Sequence, residues 1–452
     1  MSKPVMISVS GIRGIVGEGL TPELLVKFSA AVGTYYGPGK VMVGRDSRVT
    51  GEMVRGAVFS GLMSVGCDPV DLGIVPTPTV QLATERSEAV GGIVITASHN
   101  PAEWNALKLL GRNGMFLDEE QGIEVKRMVE NGAFAYKPWD QVGKPAVRTD
   151  AIENHIDAVL RIPYIDVDLI RRRKFKVAFD SVNGAGGVIL PGLLKEFGCI
   201  VHPLNAEPHG RFAHKPEPLP ENLRELCAWV RESGADVGFA VDPDVDRCAI
   251  VAETGEFIGE EYTITLATRL VLSKKKGSVV VNLSTTRAVD DVAAGFGCEV
   301  VRSKVGEIHV AKKMEEIGAV IGGEGSGGVI LPDVHLGRDA PVAIALTLQA
   351  MAESGEMMSS LWHRLPRYCI VKRKIVIGDS NPDEILKKIG ENHEDEKLNT
   401  VDGLKIERPK SWIQIRKSNT EPIIRIMAEA GTSDEAERLV NAFVDEVKRL
   451  KG

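Results

Sequence analysis

The chain has 452 residues, 43% hydrophobic and 26% charged, with a formal net charge of −7. That length is more than one hydrophobic core organises and predicts roughly three or four domains. The acidic balance argues against a general nucleic-acid-binding surface. No apolar run reaches the roughly 18 residues of a membrane span, and Met1-Ser-Lys-Pro-Val-Met-Ile7 lacks a signal-peptide core, so a cytoplasmic protein is expected. Six scattered cysteines form no Cys-x-x-Cys pair, which argues against disulfides and structural zinc.

In chain order, Ser10-Gly-Ile-Arg-Gly14 first places Arg13 on a glycine-flanked turn. Val41-Met-Val-Gly-Arg-Asp46 then reads as a strand and turn, and Ser64-Val-Gly-Cys67 as a helix end leading into a strand. Glycine suits the left-handed position after a helix, and cysteine there serves as a small buried hydrophobe. The same order returns at Val177-Ala-Phe-Asp-Ser181 with Glu196-Phe-Gly-Cys199, and at Val279-Val-Val-Asn-Leu283 with Gly295-Phe-Gly-Cys298. Three copies predict an α/β protein of three related α/β domains with mixed, mostly parallel sheets. Residues 137–149 are irregular and polar, and Glu253-Thr-Gly-Glu256 is a turn. Beyond about residue 364 the pattern becomes strands at 370–377, 412–416 and 423–426 with helices at 382–390 and 433–451. That is a smaller C-terminal α+β domain. The expected domains are therefore 1–149, 150–252, 253–363 and 364–452.

Four loops carry chemistry. Gly91-Gly-Ile-Val-Ile-Thr-Ala-Ser-His-Asn-Pro101 is a buried strand delivering Ser98 in a loop at its C-terminal end, where open α/β sheets bind ligands. Such a serine can act as a nucleophile or phosphate carrier. Asp242-Pro-Asp-Val-Asp-Arg247 alternates three carboxylates that can converge on one hard divalent cation. An EF-hand is excluded, because Arg247 replaces its glycine and a strand, Cys248-Ala-Ile-Val251, follows where a helix is needed. Gly322-Gly-Glu-Gly-Ser-Gly-Gly328 reads as a flexible loop presenting Glu324 and Ser326, a pairing that suits sugar hydroxyls. Arg416-Lys-Ser-Asn-Thr-Glu-Pro422 offers a cation, hydroxyls, an amide and turn N–H groups, a good phosphate cradle. Lys108 and Arg247 are further cations able to steady phosphate charge.

In this order the loops resemble the α-D-phosphohexomutase family (phosphoglucomutase, phosphomannomutase and phosphoglucosamine mutase), over the whole chain. The resemblance implies that Ser98 carries the transferred phosphate. It implies that Asp242, Asp244 and Asp246, with Ser98, hold one Mg²⁺. Glu324 and Ser326 would then read the sugar, Arg416, Ser418, Asn419 and Thr420 would bind its phosphate, and Arg13 and Lys108 would flank the transfer. A hexose 1,6-bisphosphate would be intermediate and activator, and a homo-oligomer is compatible with the family. Two positions depart from the pattern: Gly328 and Glu307 stand where many members carry histidine, and His309 is not assigned that role. Both lie where the sugar is read. Gly328 is expected to loosen that reading, giving dual glucose/mannose 1-phosphate use. Glucosamine phosphate is the alternative if Glu307 faces C2. A phosphatase with an Asp-x-Asp loop leaves Ser98 unexplained, and a non-catalytic phosphosugar binder would carry no phosphate there.

Overall fold

The computed structural model describes residues 6–8, 11–378, 380–418 and 423–451. Three of its four sheets share one wiring. In the first, Gly39–Arg45 is central, with Cys67–Ile74 and Gly91–Ile95 parallel on either side and Trp104–Leu110 folded back antiparallel on the latter. Lys176–Asp180, Ile200–Leu204, Val237–Val241 and Cys248–Ala252 repeat the arrangement. Val279–Asn282, Val300–Ser303, Ile321–Glu324 and Gly328–Leu331 repeat it again. The first sheet gains Met6–Ser8, Gly11–Ile15 and Ala146–Val147 at its edges, and the third gains His335–Arg338.

Helices explain the all-apolar strands. Gly51–Ser64, Gly186–Glu196 and Ala288–Gly295 join first strand to second, and Thr77–Glu85, Arg224–Ser233 and Glu307–Ile317 join second to third. Every residue of Gly91–Ile95, Val237–Val241 and Ile321–Glu324 is buried, as strands with both faces covered must be. The helix-ending glycines 66, 198 and 297 have φ of +83°, +68° and +69°, the left-handed stop anticipated from Gly-Cys. Of the cysteines, Cys67 is fully buried, whereas Cys199 and Cys298 are only half-buried. The shared wiring has one functional consequence. In each copy the turn between third and fourth strands, at 96–103, 242–247 and 325–327, emerges at the C-terminal end of the parallel strands, where ligands bind.

The last sheet is antiparallel, in the order Cys369–Val376, Ile423–Ala430, Ser411–Lys417, Leu404–Arg408, Lys397–Asn399, and helices Pro382–Asn392 and Ser433–Lys451 accompany it. Leu404–Arg408 and Lys397–Asn399, together at one side of the sheet, were not anticipated, being short and charged.

A buried polar clasp joins the first three units. Asp339 Oδ2 lies 2.7 Å from His155 Nε2 and 2.9 Å from His335 Nε2, and Thr79 Oγ1 lies 2.8 Å from His155 Nδ1. Asp339 Oδ1 accepts the N–H of Val342 and caps the helix Ala340–Ser354. Among the described residues no helix is long and apolar enough to cross a membrane.

Candidate active site

Ser98 is 4% exposed and has φ +50°, a left-handed backbone uncommon for a residue with a side chain. Arg48 holds it there. This fully buried guanidinium donates to the carbonyls of Ser98 (2.6 Å), Asn100 (2.7 Å), Pro101 (2.6 Å) and Trp104 (2.9 Å). Asp46 steadies Arg48 Nε at 3.0 Å and accepts Thr96 Oγ1 at 2.6 Å, while Thr96 Oγ1 accepts the Ser98 N–H. The Ser98 hydroxyl is thereby aimed at Asp242 Oδ2, 2.9 Å away.

The acidic turn is equally constrained. Val245, at its tip, is fully buried with φ +62°, a conformation that costs a β-branched residue about 1–3 kcal/mol. Asp242 Oδ1 accepts the N–H groups of Asp246 and Arg247, closing the turn. Asp244 Oδ2 accepts Thr77 Oγ1 (2.6 Å) and Lys108 Nζ (2.7 Å), and Asp246 Oδ2 accepts Arg338 Nη2 (2.6 Å). The second oxygens, Asp244 Oδ1 and Asp246 Oδ1, are buried without hydrogen-bond partners. One ligand atom from each of the three aspartates lies within 4.8 Å of the others. Burial and the negative charges of Asp246 and Asp244 push Asp242 well above the usual carboxylate range. For Asp244, burial raises the pKa, but Lys108 and the Thr77 hydroxyl outweigh it and hold it low. Unsatisfied carboxylate oxygens converging in a buried turn fit a hard divalent cation, with no soft donor to favour zinc.

The glycine-rich segment is not the flexible loop its composition suggests. Strand continues to Glu324, a three-residue turn follows, and strand resumes at Gly328. Glu324 is 4% exposed. Its Oε1 accepts Asn282 Nδ2 (2.7 Å) and the Gly306 N–H (2.9 Å), and its Oε2 accepts Arg338 Nη1 (2.5 Å). Burial alone would raise its pKa, but Arg338 and these donors keep it below the usual value. Nor does Gly328 leave an open gap. A Cβ there would sit 2.2 Å from Arg338 Cδ, so the glycine makes room for the arginine stem. Glu307 stands in the same wall but is not free: Gln81 Nε2 donates to it at 3.0 Å and Arg338 Nε lies 3.1 Å from it.

A cleft of about 510 Å³ gathers these groups, with Arg13, Ser98, Lys108, Arg247, Glu324 and Arg338 in its walls. Arg13 Nη1 donates to Asn100 Oδ1 at 2.9 Å. Burial depresses Lys108, yet Asp244 and Asp246 prevail and hold its pKa above the ordinary value, so it stays charged. His99 is pushed down to about 2, chiefly by the Arg247 charge and then by burial, and is neutral. Ser326, Arg416 and Ser418 do not line this cleft. Arg416 Nε donates to Asp402 Oδ1 at 3.0 Å, and Asp402 Oδ2 accepts the Val305 N–H beside Gly306, tying the last domain's strand to the cleft wall. Asn419 and Thr420 lie outside the described residues. Arg48, Arg338, Thr77 and Gln81 went unrecognised in the sequence. Each is a polar residue whose meaning arises from tertiary contact.

Four domain families described as phosphoglucomutase/phosphomannomutase match in order: alpha/beta/alpha domain I at residues 6–136, domain II at 153–255, domain III at 259–368 and the C-terminal domain at 370–446. A Thermococcus kodakarensis protein named "Phosphoglucomutase/phosphomannomutase" is 42% identical over 436 residues, 94% of each chain. A Methanopyrus kandleri protein named "Probable phosphoglucosamine mutase" is 40% identical over 448 residues, 97% of each. The solved structure of a phosphoglucomutase/phosphomannomutase family protein from Burkholderia thailandensis has a TM-score of 0.87 at 26% identity, covering 98% of this chain and 97% of its own. With all four domains matched in sequence and the same architecture in space, the chain belongs to the phosphoglucomutase/phosphomannomutase family.

Proposed function

We propose that the protein is a phosphosugar mutase that moves phosphate between O1 and O6 of an aldohexose, with Ser98 as the carrier. The observation that supports this best is the Ser98 hydroxyl held 2.9 Å from Asp242, in a cleft that Glu324 also lines. In the forward half-reaction the phosphoserine P–O bond breaks as a bond forms to the sugar hydroxyl, and the proton lost by that hydroxyl ends on the Ser98 oxygen. The product is a hexose 1,6-bisphosphate. After it reorients, Ser98 takes the other phosphate by the same exchange in reverse.

The roles of the side chains follow from their charges. Lys108, held protonated, neutralises phosphoryl oxygens rather than taking a proton. Arg13 and Arg247 orient those oxygens in line. Asp242, Asp244 and Asp246, with Ser98, would hold one Mg²⁺. When bound, the cation supplies positive charge against the phosphoryl group in transfer. Glu324 accepts hydrogen bonds from sugar hydroxyls and Ser326 assists from the turn. Arg416, Ser418, Asn419 and Thr420 bind the phosphate not undergoing transfer. Intact-mass measurement should find phosphate on Ser98, and Ser98→Ala should abolish turnover without lowering Tm. Near-normal mutase activity in that variant overturns the reading, and stoichiometric release of inorganic phosphate would indicate a phosphatase.

For the sugar, the favoured reading is dual use of glucose and mannose 1-phosphates. The names of the two relatives diverge on this point. Glu307 is paired with Arg338 and bound by Gln81, which weakens the attraction it would offer a C2 ammonium. A site that leaves C2 unread cannot strongly reject its epimer. Side-by-side kcat/KM values for glucose, mannose and glucosamine 1-phosphates decide. A preference for the amino sugar above about 100-fold (~2.7 kcal/mol) would reassign the substrate.

A further inference from the structure

We propose that Arg338 is a positioning residue that binds the acidic turn to the sugar-side hairpin and opposes cation binding while it supports sugar binding. This rests on the reading that the aspartates hold a cation and Glu324 faces the sugar. One guanidinium, 8% exposed, meets three carboxylates from three separate segments: Asp246 through Nη2, Glu324 through Nη1 and Glu307 beside Nε. The planar fork is what makes this feasible, since a lysine ammonium has no matching geometry. Its path is built in, because Gly328 surrenders the volume that the Arg338 stem fills. Its backbone is fixed as well. The Arg338 N–H points to Glu307 at 3.3 Å, and the next residue, Asp339, is the centre of the clasp between His155 and His335.

The two functions of Arg338 have opposite signs. Its charge sits 2.6 Å from an Asp246 oxygen, so it competes with any cation for that carboxylate. It also fixes the Glu324 carboxylate by one oxygen, leaving Asn282 and the Gly306 N–H to fix the other. Removing the arginine therefore frees Asp246 for metal and loosens Glu324 for sugar. General damage to the site would weaken both.

The test titrates Mn²⁺ into full-length wild type, Arg338→Met and Arg338→Lys by calorimetry, with KM and kcat for glucose 1-phosphate measured alongside. Arg338→Met should bind Mn²⁺ about fivefold to tenfold more tightly, while KM rises by about 30-fold or more. Arg338→Lys, keeping the charge but not the fork, should hold Mn²⁺ affinity within about twofold and still raise KM. Weakening of both, or no change in either, overturns the inference. If Arg338→Met does not fold, Arg338→Lys alone decides, and an unchanged KM refutes the positioning role. Wild type that binds no divalent cation would instead refute the metal reading on which the proposal stands.

Discussion

Among the described residues, two buried clusters have metal-ligating side chains close enough to share an ion: Asp242, Asp244 and Asp246 in one, His155, His335 and Asp339 in the other. By residue type the second is the better set for a transition metal. Its hydrogen bonds argue otherwise. Asp339 Oδ2 accepts from both imidazoles, Oδ1 caps a helix, and Thr79 takes the remaining nitrogen of His155. The aspartate turn keeps two oxygens unpartnered, crowds like charges, and holds Val245 in a left-handed backbone. Unpaired acceptors and backbone strain mark a ligand site, and a carboxylate with both oxygens paired marks a structural joint. The two meet at consecutive residues, since Arg338 binds Asp246 of the open cluster and Asp339 centres the closed one.

The largest effect should come from the open cluster. Asp244→Asn removes one of three like charges and a ligand oxygen, so kcat of the folded protein should fall by about 10³-fold. Chelation should do the same reversibly, with Mg²⁺ restoring turnover. A variant that lost several degrees of Tm and kept its kcat would make the acidic turn a joint like the other cluster.

The reverse signature belongs to Asp339→Asn. It leaves one buried imidazole without its acceptor, and stability should fall by about 2–3 kcal/mol, read by chemical denaturation, with kcat of the folded protein reduced far less than in Asp244→Asn. Cation binding sharpens the contrast. Mg²⁺ at 100 times its Kd should stabilise wild type and Asp339→Asn alike by about 2.7 kcal/mol. Asp244→Asn should gain much less. Equal gains in wild type and Asp244→Asn would move the cation elsewhere.

The open cluster was legible in the sequence and the closed one was not. Ser98, Asp242, Asp244 and Asp246 sit in turns directly after wholly apolar strands, and Glu324 ends a strand before a glycine-rich turn, so the change of composition exposes them. Lys108 and Arg13 came through proximity to those turns and the family resemblance. Arg48, Arg338, His155 and Asp339 carry no local signal, because the partners that define their roles lie far along the chain. The glycines of 322–328 misled for a related reason. Glycine there permits close packing, against the Arg338 stem at 328 and the Glu261 carboxylate at 325, rather than mobility. In the last domain, Lys397–Asn399 and Leu404–Arg408 were missed because short charged strands lack the apolar run that betrays the others.

The smallest expected effect separates the clusters by pH. Burial raises the Asp339 pKa, but His155 and His335 outweigh it and hold the folded carboxylate well below its ordinary range. A group depressed in the folded state contributes stability above its unfolded pKa, about 3.9, and loses it as pH falls toward the folded value. At pH 3.5 the unfolded chain is already mostly protonated at this position, while the folded clasp is still charged. The stability advantage of wild type over Asp339→Asn should therefore shrink by roughly 0.7 kcal/mol between pH 7 and pH 3.5. Asp242 predicts the opposite sign: its pKa is raised by burial and like charge, so metal-free Asp242→Asn should gain on wild type as pH rises above the ordinary carboxylate range. Denaturation midpoints of both variants and wild type at the two pH values, in chelator, test the pair. If the two variants moved in the same direction relative to wild type, the division into an open, frustrated cluster and a closed, satisfied one would fail.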